Sequence, residues 1–246
     1  MNIPALASNS FIGRIARLPL ALVPRDMVVP ILRGKLRGKC WIVRSAIHRC
    51  WLGFYEYKKQ RLICKEVRPN TVFFDVGANV GFYSLLASKL LGQGKVYAFE
   101  PLSRNLEYLE KHLALNCATN VEVLGLAVSD TNGSATFAIE PTGFMGRLAD
   151  EGDVTVPTAT LDSLVEAGRI LPPDYIKMDI EGAELLALRG ASKIFQRHHP
   201  VLFLATHGRQ VHTECIRLLH SWGYSCSPLD DGDSGELREL VARFRS

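Results

Sequence analysis

A regular alternation of apolar runs and helical segments after residue 70 constrains the fold of this chain most strongly. An apolar, β-prone run at residues 71–75 leads into a glycine-rich turn, a predicted helix at 82–91 and a second predicted strand at 95–99. The pattern continues with predicted strands at 121–128, 175–180 and 201–205. Strands that alternate with helices predict an α/β fold with a Rossmann-like, doubly wound and mostly parallel sheet.

Between these strands the sequence predicts further helices and one hairpin arm. The hairpin arm is expected at residues 134–139, and a short last strand at 224–226. The remaining helices are predicted at 102–115, 160–167, 183–195 and 213–222.

The segment before residue 70 differs in charge from the rest of the chain. Residues 1–70 hold fourteen Lys and Arg against three Asp and Glu, although the whole chain carries only +4. We expect short helices and turns in residues 1–39, and an aromatic helical or hairpin cap in 40–68. We therefore predict a basic extension and cap at residues 1–69 and a main domain at residues 70–246.

The excess of positive charge suggests an anionic partner. A membrane surface bound through residues 1–50, a phosphorylated substrate and nucleic acid are the candidates, and the alternative is a solvated face that packs on the acidic body. The six cysteines form no C-x-x-C pair, which favours reduced thiols and a cytoplasmic location, with peripheral membrane contact as an option. No secretory signal is evident and no apolar run reaches about 18 residues, so no spanning helix is predicted.

The turn Asp75-x-Gly77-x-x-x-Gly81 lies between the first predicted strand and helix of the main domain. Gly77 permits a tight turn, and Gly81 permits a close approach of ligand or backbone at the helix start. The spacing differs from the G-x-G-x-x-G of dinucleotide sites, and Asp75 would repel a pyrophosphate. An acidic residue suits instead a ligand with an ammonium group, such as S-adenosylmethionine.

Glu100 ends the next predicted strand, 25 residues after Asp75. A carboxylate at this position can accept hydrogen bonds from both hydroxyls of a ribose. The turn and Glu100 together predict a site for a nucleoside-bearing ligand.

Several motifs in residues 51–229 resemble the FkbM-type methyltransferases, a branch of the class I adenosylmethionine-dependent enzymes. They are Trp51-Leu-Gly-Phe-Tyr-Glu56, Phe74-Asp-Val-Gly-Ala-Asn-Val-Gly-Phe-Tyr-Ser84, Phe99-Glu-Pro101, Val156-Pro-Thr-Ala-Thr-Leu-Asp162 and Ile176-Lys-Met-Asp-Ile-Glu-Gly-Ala-Glu184. The resemblance implies a seven-stranded sheet with an antiparallel last strand. It also implies methyl transfer, usually to a hydroxyl oxygen of a sugar, glycan, polyketide or other small molecule.

The resemblance further implies which residues bind the cofactor. Ala127 and Val128 would lie near the adenine. The rest of the cofactor site would consist of Asp75, Gly77, Ala78, Asn79, Gly81 and Glu100.

Charged residues after the fourth strand of the main sheet are the catalytic candidates. Lys177 and Asp179 alternate with apolar residues of a strand that should be buried, where charge is costly unless it is paired or functional. We predict Asp179 at the reaction centre, as base, acceptor orienter or metal ligand, with Glu181 as a second candidate. Ion pairs of Lys177 with either acid are the alternative, and Glu184 is expected to be an ordinary acid of a helix's first turn.

His207 follows the next strand and could act as a general base. Members of the family often carry an acid two positions before this histidine, and here the residue is Ala205. This departure weakens a two-carboxylate metal site, so no metal centre is predicted, although a divalent metal is an option.

Three rival functions remain. One is methyl transfer to nucleic acid or protein, although no base-flipping motif or RNA-binding module is evident. A second is a non-catalytic, membrane-associated binding protein on the same scaffold. The third is a nicotinamide dehydrogenase, which the glycine spacing opposes.

Overall fold

The computed structural model describes residues 24, 26–139, 146–148, 152, 154–229 and 237–245. The segment before the main sheet contains β1 (Val28–Pro30), β2 (Cys40–Ile42), α1 (Arg49–Leu52) and α2 (Tyr57–Glu66). Next come β3 (Val72–Val76), α3 (Phe82–Leu91), β4 (Lys95–Phe99), α4 (Ser103–Leu115), β5 (Val121–Leu124), β6 (Ala127–Val128), β7 (Gly133–Ile139), β8 (Gly146–Leu148), β9 (Val154–Ala159) and α5 (Leu161–Glu166). The last elements are β10 (Tyr175–Met178), α6 (Glu184–Arg189), α7 (Ser192–Arg197), β11 (Val201–His207), α8 (Arg209–Ser221), β12 (Tyr224–Pro228) and β13 (Leu237–Phe244).

Seven strands form the central sheet, in the order β12-β13-β11-β10-β3-β4-β5. All neighbours from β11 to β5 are parallel, and β13 is antiparallel to both β11 and β12. This confirms the predicted Rossmann-like fold and its antiparallel last strand. Because parallel strands end at one edge, the carboxyl ends of β3, β4, β10 and β11 lie side by side, where such sheets bind ligands.

Two predicted elements are wrong in the same way, because each is divided in two. The predicted strand at 121–128 breaks after Leu124, and its second part is β6, which belongs to a separate sheet ordered β6-β9-β7-β8. The predicted helix at 183–195 ends at Arg189 and restarts at Ser192. Both halves of each element contain apolar residues, so the hydrophobic pattern does not reveal the break.

The break between α6 and α7 has a packing cause. A Cβ atom at residue 190 would overlap the backbone oxygen of Ser129, so Gly190 allows two chain segments to touch. Asp162 then caps the second helix, because its carboxylate accepts from the backbone N–H of Lys193 at 2.9 Å and of Ile194 at 3.0 Å. The Asp of the Thr-x-Thr-Leu-Asp motif is therefore a capping residue.

The segment before residue 70 packs directly on the main sheet. Residues 28–30 pair with 40–42 as a short antiparallel ribbon, so the prediction of helices and turns for residues 1–39 is wrong there. Residues 33–39, which include Arg33, Lys35, Arg37 and Lys39, form a basic loop, and residues 1–23 and 25 lie outside the described residues. Among the described residues, no helix is long and apolar enough to span a membrane.

His112 of α4 fixes this ribbon in place. Its Nε2 accepts from the backbone N–H of Ile42 at 3.1 Å, and its Nδ1 lies 2.7 Å from the oxygen of Val80. One nitrogen accepts, so the other carries the proton and the ring is neutral. The ring also stacks on Trp41, with centroids 3.9 Å apart. Burial lowers the pKa of His112 to about 4, against a smaller opposing effect of the hydrogen bond to Val80.

We predict that this docking weakens in acid. The unfolded chain binds a proton at residue 112 near pH 6.5 and the folded chain only near pH 4. The contribution of His112 to stability is therefore complete above pH 6.5 and falls by about 3 kcal/mol as the pH drops to 4. Urea unfolding of the wild type and of His112→Gln at several pH values tests this, because other histidines titrate in both proteins. The stability difference between them should shrink as the pH falls, and parallel curves would contradict the assignment.

Candidate functional site

A cavity of about 370 Å³ opens at the carboxyl ends of β3, β4 and β10. Its size lies in the range of small-molecule sites. Six of the eight predicted cofactor residues line it, namely Gly77, Ala78, Asn79, Glu100, Ala127 and Val128. The predicted catalytic residues Lys177, Asp179 and Glu181 line the same cavity.

The turn after β3 forms one wall of the cavity. Gly77 has φ +76°, and a Cβ atom there would overlap the backbone oxygen of Asp179. The backbone N–H groups of Gly77 and Ala78 both donate to the oxygen of Phe99, at 3.0 and 2.9 Å. Glycine is therefore required at position 77 both by the positive φ angle and by the close approach of the Asp179 backbone. Gly81 starts α3 with φ +91°, where a side chain would overlap Leu109 of α4.

Glu100 is a nearly buried carboxylate beside this turn. It accepts from the backbone N–H of Asn79 at 2.8 Å and of Leu102 at 3.0 Å, and from the side-chain amide of Asn105 at 3.2 Å. Burial raises the pKa of Glu100, and these hydrogen bonds act in the opposite direction. The carboxylate is thus held in one orientation at the cavity surface, as recognition of paired hydroxyls requires.

Asp75 and Lys177 lie behind the turn. Asp75 is fully buried, and its carboxylate accepts from the Ser84 hydroxyl at 2.6 Å and lies 3.4 Å from the Lys177 ammonium. Lys177 also donates to the oxygen of Gly77 at 2.8 Å. The ion pair of Lys177 is therefore with Asp75 and not with the two acids considered from the sequence. Both residues therefore hold the turn in place, and the predicted contact of Asp75 with a ligand ammonium group stays a prediction.

Three predicted catalytic residues meet at the ends of β10 and β11. Nε2 of His207 lies 3.7 Å from Oδ1 of Asp179 and 3.2 Å from Oε2 of Glu181. Nδ1 of His207 lies 2.8 Å from Oε1 of Glu184. Burial lowers the pKa of His207, but the hydrogen bond to Glu184 and the charges of the surrounding acids outweigh this, so its pKa is raised overall.

Glu184 has a larger role than the sequence indicated. It lies in the first turn of α6, as expected, and its Oε1 accepts from the backbone N–H of Gly182 at 3.1 Å. However, its side chain is fully buried and orients His207. The sequence signal was the motif Glu181-x-x-Glu184, which puts the second acid at a buried helix start.

The segment before the sheet supplies a buried lysine that sequence analysis missed. The Lys59 ammonium is 2.8 Å from Glu56, 2.6 Å from Glu239 and 3.6 Å from Oδ2 of Asp179. Burial lowers the pKa of Lys59, but the three carboxylates raise it further, so the lysine is charged. Burial likewise raises the pKa of Asp179, whereas Lys59, Lys177 and His207 lower it to a net depressed value. The available signal was that Lys59 lies one helical turn before the buried Ile63, on the inner face of α2.

Other residues of this early segment complete the cavity. Ala46, Ile47, Cys50 and Tyr55 line it. The hydroxyl of Tyr83 donates a hydrogen bond to Glu56 at 2.7 Å, which joins the early segment to α3. The cap predicted for residues 40–68 is therefore part of the site wall.

Comparison with known proteins identifies the wider group to which these features belong. The model of the methyltransferase FkbM domain matches residues 75–226. The hexuronic acid methyltransferase AglP of Haloferax volcanii is 30% identical over 138 residues, which are 55% of this chain and 56% of that protein. Methyltransferase 1 of Beauveria bassiana is 25% identical over 154 residues, covering 52% of this chain and 62% of that protein. The chain thus spans less than two thirds of these relatives.

Solved structures share the fold at low sequence identity. The methyltransferase FkbM from Methylobacillus flagellatus matches with a TM-score of 0.54 and 19% identity, over 78% of this chain and 50% of that one. A ribosomal protein L11 methylase from Lactobacillus delbrueckii subsp. bulgaricus matches with a TM-score of 0.51 and 13% identity, over 81% of each chain.

We predict that Gly77→Ala damages the site beyond the cost of its backbone conformation. The matched control is Gly168→Ala, because Gly168 has φ +67° but nothing within 4 Å of an added Cβ atom. The control should lose about 1–2 kcal/mol of stability from the left-handed conformation alone. Gly77→Ala must also displace the backbone of Asp179, so it should lose more stability and bind adenosylmethionine at least tenfold more weakly. Urea unfolding and calorimetry measure both, and equal effects in the two variants would contradict the packing argument.

Proposed function

The chain belongs to the FkbM methyltransferase family, and from this premise we propose that it moves the methyl group of adenosylmethionine to a hydroxyl oxygen of a sugar-like acceptor. The observation that carries the proposal is that one cavity joins the Gly77 turn and Glu100 to the carboxylates of Asp179 and Glu181. The first pair suits a nucleoside-bearing methyl donor, and the second pair suits an acceptor that must lose a proton.

The residues on the turn side fit the methyl donor. Glu100 would bind the ribose hydroxyls, and the buried Ala127 and Val128 would pack on the adenine. Adenosylmethionine supplies an activated sulfonium methyl group. The Gly77 turn, held from behind by Lys177 and Asp75, would keep the donor aligned for an in-line displacement.

The residues at the end of β10 fit the acceptor. In the transfer, a bond forms between the acceptor oxygen and the methyl carbon, the bond from sulfur to that carbon breaks, and the hydroxyl proton must leave. Asp179 would accept this proton, since its carboxylate lines the acceptor end of the cavity. Lys59, Lys177 and His207 lower its pKa, which keeps the carboxylate ionised and also makes it a weaker base. Glu181 and His207 lie beside it and would orient the hydroxyl.

A sugar-like acceptor is supported by AglP, whose name describes a hexuronic acid methyltransferase. The same match favours a sugar hydroxyl as the methyl acceptor over a nucleic acid or a protein. Asp179, Glu181 and Lys177 also place charged groups in the otherwise largely apolar lining of the cavity, and these groups would bind hydroxyls of the acceptor.

A labelled methyl-transfer assay tests the proposal. The acceptors tested are neutral glycosides, a hexuronic acid glycoside, RNA and a mixture of unmodified proteins. Binding of adenosylmethionine and of NAD is compared separately by calorimetry. We expect a labelled sugar that keeps its label in mild alkali, since methyl ethers survive and methyl esters do not. An alkali-labile product would show that the acceptor group is a carboxyl and not a hydroxyl. Absence of adenosylmethionine binding would overturn the proposed function.

Asp179→Asn should lower the transfer rate by roughly 10² or more, because it removes the proton acceptor and preserves shape. Its affinity for adenosylmethionine should stay within a few-fold of the wild type. Glu107→Gln, on the exposed surface of α4, is the control for removal of one carboxylate. A wild-type rate in Asp179→Asn would show that another group takes the proton.

We also propose that the early segment binds an anionic membrane surface beside the cavity. Within the described residues, six of the nine exposed large hydrophobic side chains lie between residues 27 and 57, including Leu32, Ile47 and Phe54. The basic loop residues Arg33, Lys35 and Arg37 are exposed, and Arg33 lies over the Phe54 ring. Exposed apolar groups next to cations are typical of surfaces that bind anionic lipid. Ile47 is exposed and also lines the cavity.

Vesicle flotation tests the membrane proposal. Wild-type protein should float with vesicles that contain phosphatidylserine, and added salt should reduce this binding. Arg33→Glu/Arg37→Glu should reduce it strongly, whereas Lys111→Glu/Arg197→Glu, with both residues exposed on other helices, should not. Flotation that is absent, insensitive to salt or equally reduced in both double variants would refute the electrostatic interaction.

A further inference from the structure

We infer that Asp179, Glu181 and His207 form a binding site for a divalent cation at the acceptor end of the cavity. The inference rests on the proposed function and adds to it the way in which the acceptor oxygens are held. One ligand atom from each residue lies within 4.8 Å of those of the other two. Ligand atoms around one ion at bonds of about 2.1 Å stand up to about 4.2 Å apart, so small side-chain movements suffice.

The orientation of His207 is that of a metal ligand with a supporting carboxylate. Its Nδ1 is occupied by Glu184 at 2.8 Å, and this leaves Nε2 facing Asp179 and Glu181. Histidines that bind metals commonly donate their second ring N–H to a carboxylate, which fixes both the tautomer and the ring direction. Glu184 is therefore a positioning residue for this site.

A second observation is independent of the three ligands. The side chain of Glu184 is completely buried, and its Oε2 has no hydrogen-bond partner among the described residues. A buried carboxylate without full compensation is costly. A cation bound by the adjacent imidazole would supply the missing charge.

The balance of charge around the cluster points the same way. Five carboxylates meet here, from Glu56, Asp179, Glu181, Glu184 and Glu239, and the Lys59 ammonium group lies within 3.6 Å of three of them. Lys177 forms an ion pair with Asp75, so these two charges offset each other. Because an imidazole binds a metal ion in its neutral form, a divalent ion would reduce the local excess of negative charge without cancelling it.

The chemistry of the ligands selects the class of ion. Two carboxylates and one imidazole suit Mn²⁺ well, since Mg²⁺ prefers oxygen alone and Cu²⁺ prefers more nitrogen. Asp179 and Glu181 face the cavity, so the open coordination positions of the ion would point toward the acceptor. Such an ion would hold two neighbouring oxygens of a sugar, which orients one of them for transfer.

Direct metal binding is the test. Chelator-treated protein is titrated with Mn²⁺, and free Mn²⁺ is followed by electron paramagnetic resonance, with adenosylmethionine calorimetry on the same samples. We expect one Mn²⁺ site. Binding should weaken at least tenfold in Glu181→Gln and His207→Gln and by roughly 10–100-fold in Glu184→Gln, with no change in Glu107→Gln. Unfolding midpoints show that each variant is folded.

The outcomes separate the two proposals. Adenosylmethionine binding without Mn²⁺ binding would overturn the metal site and leave the proposed function intact. Mn²⁺ binding that is equal in the Glu181 and Glu107 variants would place the ion elsewhere and also overturn the inference. Mn²⁺ binding without adenosylmethionine binding would support the metal site and overturn the proposed function.

Discussion

The Lys59 ammonium group lies among three carboxylates that come from three separate parts of the chain, and the site depends on it. Glu56 belongs to the early segment, Asp179 follows β10, and Glu239 lies on the last strand. Only 2% of the lysine side chain is exposed. Removal of one partner from a buried ionic group costs about 3–5 kcal/mol, since the remaining charges lose their compensation. One side chain thus couples the docking of the early segment to the ionisation of Asp179.

This coupling shows why the functional unit is larger than the part that matches the family model. The match covers residues 75–226, yet Tyr55, Glu56 and Lys59 precede it and Glu239 follows it. His112 lies within the matched range and also contacts the early segment, because its ring holds the β1–β2 ribbon against α4. The early segment is therefore both a wall of the cavity and a source of charge for its chemistry.

The parts of the molecule that the sequence predicted well are those governed by local chemistry. The helix at 82–91 and the strand at 95–99 have the predicted bounds, because glycines and a change of periodicity mark their ends. The strand break after Leu124 and the helix break at Gly190 depend on which distant backbone lies nearby. The site residues that follow the ends of strands, such as Glu100, Asp179 and His207, could be predicted because the strands themselves are recognisable in the sequence. Lys59 and Glu239 were missed, because their proximity to Asp179 exists only after β13 and α2 pack on the sheet.

Ala205 illustrates how packing can supply what a strand lacks. The alanine stands where an acid is expected, which weakened the case for a second carboxylate on β11. In the antiparallel pair of β11 and β13, however, Glu239 is the register partner of Ala205, and directly opposed residues share one face of a sheet. Glu239 and Glu56 form short ion pairs with Lys59, and Glu184 orients His207. Because these three acids carry the supporting interactions, Asp179 and Glu181 can present their carboxylates to the cavity.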